Sequence, residues 1–294
     1  MTSRSAIALL GTGLLGSAIA ERLHAVGHTV VAFNWTSSKA LALQTQGIAV
    51  VGAAELAVSQ VDCALLLLTD AAAIHSVLFT PPCSATLKGK MIVQMGTIAP
   101  NESLEIQREV EQRGGAYCEA PVLGSLAEAK AGTLCIMMGG TEAQFTTWFS
   151  LFRSLGREPQ RIGPVGSAAA LKLALNHLIA AETSAFALSL GLVLRSGVAV
   201  ETFMAILRES ALYAPTFDKK LPRLLKRDYH HPNFSTRHLL KDVRLCYQEA
   251  AARGLTTDGL PVLLERAITQ GLGDLDYSAL FELVNPPTHG STLS

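Results

Sequence analysis

The sequence predicts an α/β protein in which a doubly wound parallel sheet is followed by an all-α domain, joined to the sheet through a long helix. Up to about residue 165, short apolar segments alternate with helical ones, whereas from residue 166 onward only helical patterns occur. Continuous apolar strands that alternate with helices are typical of a parallel sheet covered on both faces. We therefore predict one domain over residues 1–165 and a second over residues 166–294.

The first half contains seven predicted strands. They are expected at residues 5–10, 29–33, 48–51, 62–68, 91–95, 116–119 and 133–138. The helices between them are expected at residues 14–26, 37–46, 102–113 and 142–155, with a further short helix after the third strand. The strand segments are short and apolar or β-branched, which separates them from the helical segments.

The second half is predicted to be helical throughout. One run extends from Ser167 to about residue 196, and amphipathic helices follow it to residue 284. Pro215, Pro222, Pro232 and Pro261 are expected to mark turns or helix starts, because proline disrupts a helix interior. The long run contains charged side chains, which argues against a membrane span. Its high alanine and leucine content predicts a partner surface, and hence a homodimer or tetramer.

Composition excludes several classes of protein. The chain has 294 residues, of which 49% are hydrophobic, so a disordered or fibrous chain is excluded. Its 24 basic and 24 acidic side chains cancel, which argues against a nucleic-acid binder. Five cysteines without a C-x-x-C pair predict free thiols in a cytoplasmic protein and no metal site.

A glycine-rich turn separates the first predicted strand from the first predicted helix. It consists of Gly11, Thr12, Gly13, Leu14, Leu15 and Gly16. In this pattern the first glycine permits a tight turn, the second lets backbone approach a pyrophosphate, and the third lets the helix pack on the strand. The helix N-terminus then offers free N–H groups to the phosphates. The context predicts a Rossmann-type dinucleotide site formed by these residues.

The segment after the second strand bears on the choice between NAD and NADP. NAD-binding proteins usually place an Asp or Glu there, but residues 33–39 contain no carboxylate. Asn34, Thr36 and Lys39 instead offer amide, hydroxyl and ammonium groups to a 2′-phosphate. We therefore predict that NADP(H) is preferred, with NAD(H) as the alternative. Trp35 either lies over the adenine or is a partly exposed aromatic at the end of the strand.

Four motifs follow one another along the chain. The first two are the glycine turn with Asn34-x-Thr36 after it, and the run Glu-Ala-Pro-Val-Leu-Gly-Ser at residues 119–125, continuing to Gly-Thr-Leu at residues 132–134. The last two are Gly163-x-x-Gly166 followed by Lys172 and Asn176, and Phe234 with Lys241 and Asp242. Together they resemble the β-hydroxyacid dehydrogenase family, which includes hydroxyisobutyrate dehydrogenases and glyoxylate/succinic semialdehyde reductases. The tail at residues 271–281 looks most like the latter branch.

The chemistry of the sequence itself favours a central role for Lys172. This lysine lies in an otherwise apolar helical run, and Asn176 follows four residues later on the same helix face. An ammonium group can stabilise a developing alkoxide and donate a proton to it, particularly if burial lowers its pKa toward neutrality. The alternative is a lysine whose stem packs on the helix while its charged end reaches solvent.

The resemblance implies roles for further residues. Gly124 and Ser125 would donate to a substrate carboxylate, with Leu123, Thr97, Phe234 and Lys241 also lining the substrate site. The cofactor would contact Leu68, Thr69 and Asp70 as well as Thr97, Lys241 and Asp242. For Lys241 and Asp242 the alternative is a surface ion pair, and for Phe234 it is a core aromatic. The sequence departs from the family pattern at Leu123, where many members carry serine, at His177, which replaces an asparagine, and at Trp35, which replaces an arginine.

These observations lead to one hypothesis and two alternatives. The hypothesis is an NADP(H)-preferring reductase of short aldehyde-acids, of the succinic semialdehyde, glyoxylate or 3-hydroxyisobutyrate type, with Lys172 as general acid. The first alternative is an imine reductase, whose members generally carry another residue at the position of Lys172. The second is a non-catalytic, nucleotide-bound scaffold, which would have lost the lysine and gained basic segments.

Overall fold

The computed structural model describes residues 5–36, 42–228, 232–255 and 259–271. The predicted cofactor residue Lys39 and nearly all of the tail at residues 271–281 lie outside the described residues. The predicted boundary between residues 165 and 166 falls at the turn that precedes the long helix.

The described part of the first half forms a nine-stranded sheet. The strands are β1 (Ala6–Leu10), β2 (Thr29–Phe33), β3 (Ala49–Val50), β4 (Cys63–Leu66), β5 (Met91–Gln94), β6 (Ala116–Glu119), β7 (Val122–Leu123), β8 (Cys135–Gly139) and β9 (Gln160–Gly163). Strands β3, β2, β1, β4, β5 and β6 lie side by side in that order and are all parallel. This is the strand order of a dinucleotide-binding sheet, so the predicted fold class is confirmed.

The far edge of the sheet differs from a purely parallel arrangement. Strand β8 runs antiparallel to both β6 and β7, and β9 then pairs parallel with β8. The connection from Leu123 to Cys135 contains one short helix only, which is too little chain for a crossover to a parallel strand. The chain therefore returns beside β7 in the opposite direction.

Helices cover both faces of the sheet. They are α1 (Leu14–Ala25), α2 (Ala54–Val58), α3 (Ala71–Leu78), α4 (Pro81–Ser84), α5 (Pro100–Gln112), α6 (Leu126–Ala131) and α7 (Glu142–Leu155). Successive residues of a strand point to opposite faces, so Ile7 and Leu9 enter one core cluster while Ala8 and Leu10 enter the other. Helices α1 and α7 close the first cluster, and α3 and α5 close the second.

The described second half is helical, as predicted. Its helices are α8 (Ser167–Arg195), α9 (Val200–Arg208), α10 (Pro215–Lys226), α11 (Thr236–Ala252) and α12 (Leu260–Thr269). A small core joins α8, α9 and α10, in which the rings of Phe186 and Phe217 stack with centroids 4.5 Å apart.

One prediction about proline is wrong. Pro215 and Pro261 lie at helix starts as expected, but Pro222 lies inside α10. A proline there removes one backbone hydrogen bond, and the burial of Phe217 on the same helix offsets that loss.

Helix α8 exposes much of its apolar surface in the described structure. Leu188 is 78% exposed, and Leu178, Leu192 and Leu194 are also exposed. Among the described residues, α8 is the one helix that is long and apolar enough to cross a membrane, by length and composition only.

Candidate active site

The glycine turn lies at the carboxyl ends of β1 and β4, where the strand order reverses. Gly11 has a φ of +107°, and a Cβ atom built on it would lie 2.4 Å from the carbonyl oxygen of Leu67. A Cβ on Gly16 would lie 2.0 Å from the carbonyl oxygen of Gly11. Neither position accommodates a side chain, because the backbones of the turn, α1 and the β4 loop approach one another there.

Gly13 has a different environment. No heavy atom lies within 4 Å of a Cβ built on it, so the space above this residue is open. Gly13 is the N-cap residue of α1, whose first amides have no partner within the helix. The adjacent Thr12 hydroxyl is buried without a hydrogen-bond partner among the described residues. Open space, free amides and a spare hydroxyl together fit the pyrophosphate of a dinucleotide.

Asn34 braces the glycine turn against the end of β2. Its Oδ1 accepts a hydrogen bond of 2.9 Å from the amide of Thr12, and its Nδ2 donates to the carbonyl oxygen of Thr36 at 2.9 Å. Of the two leucines in the turn, Leu14 is exposed while Leu15 packs against the core. The structure therefore brings the described residues of the turn and of the β2 end together.

A cavity of about 300 Å³ lies beyond this brace. Phe33, Trp35, Glu55 and Val77 are among its lining residues, and Trp35 is 78% exposed. Its lining combines the aromatic rings of Phe33 and Trp35, which can pack against an adenine ring, with the carboxylate of Glu55, which the sequence pattern did not single out.

The loop after β4 forms the other side of the crevice between the carboxyl ends of β1 and β4. Leu68 is partly buried beside Gly11, and Thr69 is exposed. The carboxylate of Asp70 accepts a hydrogen bond of 2.8 Å from the amide of Ala73 and so caps α3. All three residues stand at the predicted edge of the sheet.

Five predicted residues meet where the helical half contacts the sheet. The Lys241 ammonium donates to the carbonyl oxygen of Thr97 at 2.6 Å and lies 2.8 Å from Asp242 Oδ1. The other oxygen of Asp242, Oδ2, accepts a hydrogen bond of 2.7 Å from Asn176 Nδ2. Asn176 and Asp242 are both buried, and α8 packs along α11 through this contact. Lys172 lies one turn before Asn176 on α8.

The electrostatic surroundings of Lys172 favour proton transfer near neutral pH. Burial lowers the pKa of Lys172 to about 8, and the nearby positive charge of Lys241 acts in the same direction. The carboxylate of Asp242 opposes this shift and keeps the lysine pKa from falling further. The carbonyl oxygen of Asn176, Oδ1, has no hydrogen-bond partner among the described residues. A partly buried ammonium, a carboxylate and a spare acceptor oxygen thus adjoin one another.

Glu119 holds the first turn of α8 against the sheet. Its Oε1 accepts three backbone hydrogen bonds, from Gly166 at 2.9 Å, Ala168 at 2.8 Å and Ala169 at 2.9 Å. Its Oε2 accepts a hydrogen bond from the hydroxyl of Ser103. Burial raises the pKa of Glu119, while these four bonds oppose that shift. The first residue of the predicted substrate segment therefore anchors the helix that carries Lys172.

The rest of the predicted substrate segment lies beside strand β8. Leu123 pairs with Cys135, an exposed cysteine that lies near Lys172. Ser125 follows Gly124 and donates from both its amide and its hydroxyl to Glu128. Glu128 and Cys135 were not identified from the sequence, although the spacing Ser-x-x-Glu is a capping-box signal that indicates the first.

Phe234 and His177 both lie near α11. Phe234 is 42% exposed and lies just before α11. The ring of His177 lies 5.5 Å from that of Tyr247 on α11. No group of three or more potential metal ligands occurs in the part of the chain that the structure describes.

Comparisons with known proteins agree with this architecture. Residues 6–166 match the family model of the NAD-binding domain of 6-phosphogluconate dehydrogenase. Residues 166–284 match that of the NAD-binding domain of NADP-dependent 3-hydroxyisobutyrate dehydrogenase. The chain is 31% identical over 283 residues to glyoxylate/succinic semialdehyde reductase 1 of Arabidopsis thaliana, covering 95% of this chain and 98% of that protein.

Solved structures share the fold at lower identity. The 3-hydroxyisobutyrate dehydrogenase of Mycobacterium tuberculosis, solved with L-serine, superposes with a TM-score of 0.79 at 22% identity, covering 96% of this chain and all of that one. An imine reductase from Myxococcus stipitatus in complex with NADP+ gives a TM-score of 0.74 at 21% identity, with 95% and 99% covered. The fold, the nicotinamide-dinucleotide crevice and the sequence matches identify the chain as an NAD(P)-dependent enzyme of the β-hydroxyacid dehydrogenase family.

Proposed function

We propose that this enzyme is an NADP(H)-preferring reductase of short aldehyde-acids, such as succinic semialdehyde or glyoxylate, and that Lys172 is its general acid. The observation that carries the proposal is the position of Lys172. Its pKa of about 8 belongs to a group that is protonated at neutral pH and can still release its proton. Lys172 is close enough to Asp242 to feel its charge, and it lies one turn before Asn176 on α8.

Each residue around Lys172 has a definite task in this mechanism. The nicotinamide cofactor supplies the hydride, and Lys172 donates a proton to the oxygen of the substrate carbonyl. Asp242 keeps Asn176 and Lys241 in place through its two carboxylate oxygens. The free Oδ1 of Asn176 can accept from the ammonium of Lys172 and orient it. In the reverse direction, neutral Lys172 takes the proton from a hydroxy acid.

The cofactor preference is supported by the residues at the end of β2. At the end of β2 the chain offers Asn34 and Thr36 and no carboxylate for the ribose hydroxyls, while the carboxylate of Glu55 belongs to the neighbouring cavity. Trp35 lines a cavity beside this segment, which favours the alternative in which Trp35 lies over the adenine. Steady-state kinetics with NADPH and NADH on one substrate panel test this preference directly.

Replacing Lys172 tests the mechanism. Lys172→Ala should lower kcat for aldehyde-acid reduction by about 10²–10⁴-fold, the range that general acid catalysis contributes. Cofactor affinity should stay within about twofold of wild type, because the phosphates bind at the glycine turn. The matched control is Lys226→Ala, at an exposed lysine on the same half of the chain. Retention of more than a few per cent of kcat by the Lys172 variant would refute the assigned role.

The pH profile provides a second readout. With a Lys172 pKa of about 8, kcat/KM for reduction should fall as the pH rises through that value, because the acid form is lost. Oxidation of the hydroxy acid requires the neutral amine, so its rate should rise over the same interval. If the rates of reduction and of oxidation both rise, or both fall, as the pH increases through about 8, a single acid–base group is contradicted.

The two alternatives make different demands on these residues. An imine reductase would reduce a cyclic imine faster than an aldehyde-acid, and parallel assays with both substrates separate the two. A nucleotide-bound scaffold would bind the cofactor without turnover. The retained lysine in a chain of zero formal net charge argues against that scaffold.

We also propose that the exposed face of α8 is covered by a second copy of the chain, in a cytoplasmic homodimer or tetramer. Leu188 and Leu192 are exposed on this face, and contact with a second copy would bury them. All five cysteines are free thiols, as expected in a reducing cytoplasm. Light scattering after size exclusion should give two or four times the chain mass of 31.1 kDa. Leu188→Glu should dissociate the assembly into monomers. If the wild-type protein is itself a monomer, the proposed assembly is refuted.

A further inference from the structure

Both hydrogen-bond donors of Ser125 are already engaged by a carboxylate of the chain itself. The Ser125 amide donates to Glu128 Oε2 at 2.8 Å, and the Ser125 hydroxyl donates to the same oxygen. The other oxygen, Oε1, lies 3.4 Å from the ammonium of Lys219. The family resemblance assigns Ser125, together with Gly124, as a donor to a substrate carboxylate, and Glu128 already holds both donors of Ser125.

The charge of Glu128 persists at every working pH. Hydrogen bonds from the hydroxyl and the amide of Ser125 lower the pKa of Glu128 to about 2, and the Lys219 ammonium adds to the effect. Any anion that approaches Ser125 therefore meets a full negative charge, and it finds the donors taken.

The contact between Ser125 and Glu128 lies near Lys172 and between the two halves of the chain. Leu123, two residues before Ser125, pairs with Cys135, and Cys135 is close enough to Lys172 to affect its ionisation. Lys219 belongs to α10 of the helical half, whereas Glu128 belongs to α6 of the sheet half. Glu128 thus stands between the two halves, beside the segment that borders Lys172.

We propose that Glu128 is a specificity-determining residue, which competes with the substrate carboxylate for the donors of Ser125 and shifts selectivity from acids toward neutral carbonyl compounds of equal length. This inference rests on the proposed function, because it concerns which substrates the same active site accepts. Two like charges at hydrogen-bonding separation repel strongly even in a partly solvated site, whereas a neutral compound is unaffected.

Glu128→Gln is the variant that separates charge from structure. Glutamine keeps the length of the side chain and serves equally in a capping box, so the fold of α6 is retained. We expect the ratio of kcat/KM for succinic semialdehyde to that for butanal, with NADPH, to rise about tenfold or more. The matched control is Glu21→Gln, since Glu21 pairs with Lys130 of the same helix at 3.3 Å. Its ratio should stay within about twofold of wild type. An unchanged or lower ratio in Glu128→Gln would overturn the proposal.

A binding measurement keeps this test independent of turnover. The NADPH-loaded protein is titrated calorimetrically with 4-hydroxybutyrate and with 1,4-butanediol. Glu128→Gln should bind the acid about tenfold more tightly and the diol equally well, whereas Lys219→Met, which leaves Glu128 less shielded, should bind the acid more weakly. If no aldehyde is reduced but the acid still binds more tightly to Glu128→Gln, the proposed function fails and the specificity role stands. Equal acid affinity in wild type and Glu128→Gln, or no acid binding by either, overturns the specificity role.

Discussion

Removal of the Glu119 carboxylate should strongly destabilise the protein. In Glu119→Ala the amides of Gly166, Ala168 and Ala169 all lose their common acceptor, and the last two residues are buried. A buried donor without a partner costs about 1–3 kcal/mol, so two of them cost about 2–6 kcal/mol. Because water can enter the space left by the side chain, we expect a loss of about 2–4 kcal/mol in the free energy of unfolding.

Glu119→Gln distinguishes hydrogen bonding from charge at the same position. The amide oxygen of glutamine can replace Oε1 as acceptor, and its NH₂ group can donate to Ser103, whose hydroxyl then donates to Tyr117 at 2.8 Å. We therefore expect Glu119→Gln to cost no more than about 1 kcal/mol. Urea denaturation at one fixed protein concentration, with m values compared between variants, measures both losses. The reasoning fails if the alanine variant loses less than about 1 kcal/mol, or if the two variants lose the same amount.

Three further predictions concern other parts of the structure. Burial lowers the pKa of His28, whose ring nitrogens bind Ser5 and Ser154. The stability that neutral His28 contributes should therefore be complete above the unfolded pKa of about 6.5 and be lost as the pH falls through the lower folded pKa. In His28→Asn the urea midpoint of unfolding should depend less on pH between about pH 5 and 7.5 than in wild type. Cys135 is the one exposed cysteine of the five, so Ellman's reagent should modify one thiol rapidly, and Cys135→Ser should abolish this fast phase. Phe186→Ala should cost about 3–5 kcal/mol by thermal or urea unfolding, because it removes a ring stacked on Phe217; a loss below about 1 kcal/mol would contradict this packing.

The architecture could be predicted because it depends on patterns that repeat along the chain. The alternation of apolar strands with helices predicted the sheet, and the spacing of Lys172 and Asn176 placed both on one face of α8. Short elements such as β7, with two residues, were missed, since so few residues give no periodic signal. The antiparallel direction of β8 was missed although the strand itself was predicted, because an apolar run has the same pattern whichever way the strand runs.

The contacts that organise the site could not be predicted in the same way. Glu119 binds amides 47 to 50 positions further along the chain, and no local pattern specifies such a pairing. Glu128 is the opposite case, because its contact with Ser125 spans three residues and follows a known capping signal. Long-range hydrogen bonds to single side chains therefore required the structure, whereas the local carboxylate was within reach of the sequence.

The helix that carries Lys172 is attached to the sheet at two places, and these attachments determine which substitutions change the pKa of Lys172. Glu119 fixes the first turn of α8 to the end of β6, while Asn176 is bound through Asp242 to the α11 helix, whose Lys241 contacts Thr97 after β5. Because β5 and β6 are neighbours, both attachments lead to the same edge of the sheet. The distant core around Phe186 contributes stability without taking part in either attachment. A partly destabilised Phe186 variant should therefore keep the pH midpoint of reduction near 8, whereas Asp242→Asn should lower that midpoint, because it removes the charge that sustains the Lys172 ammonium.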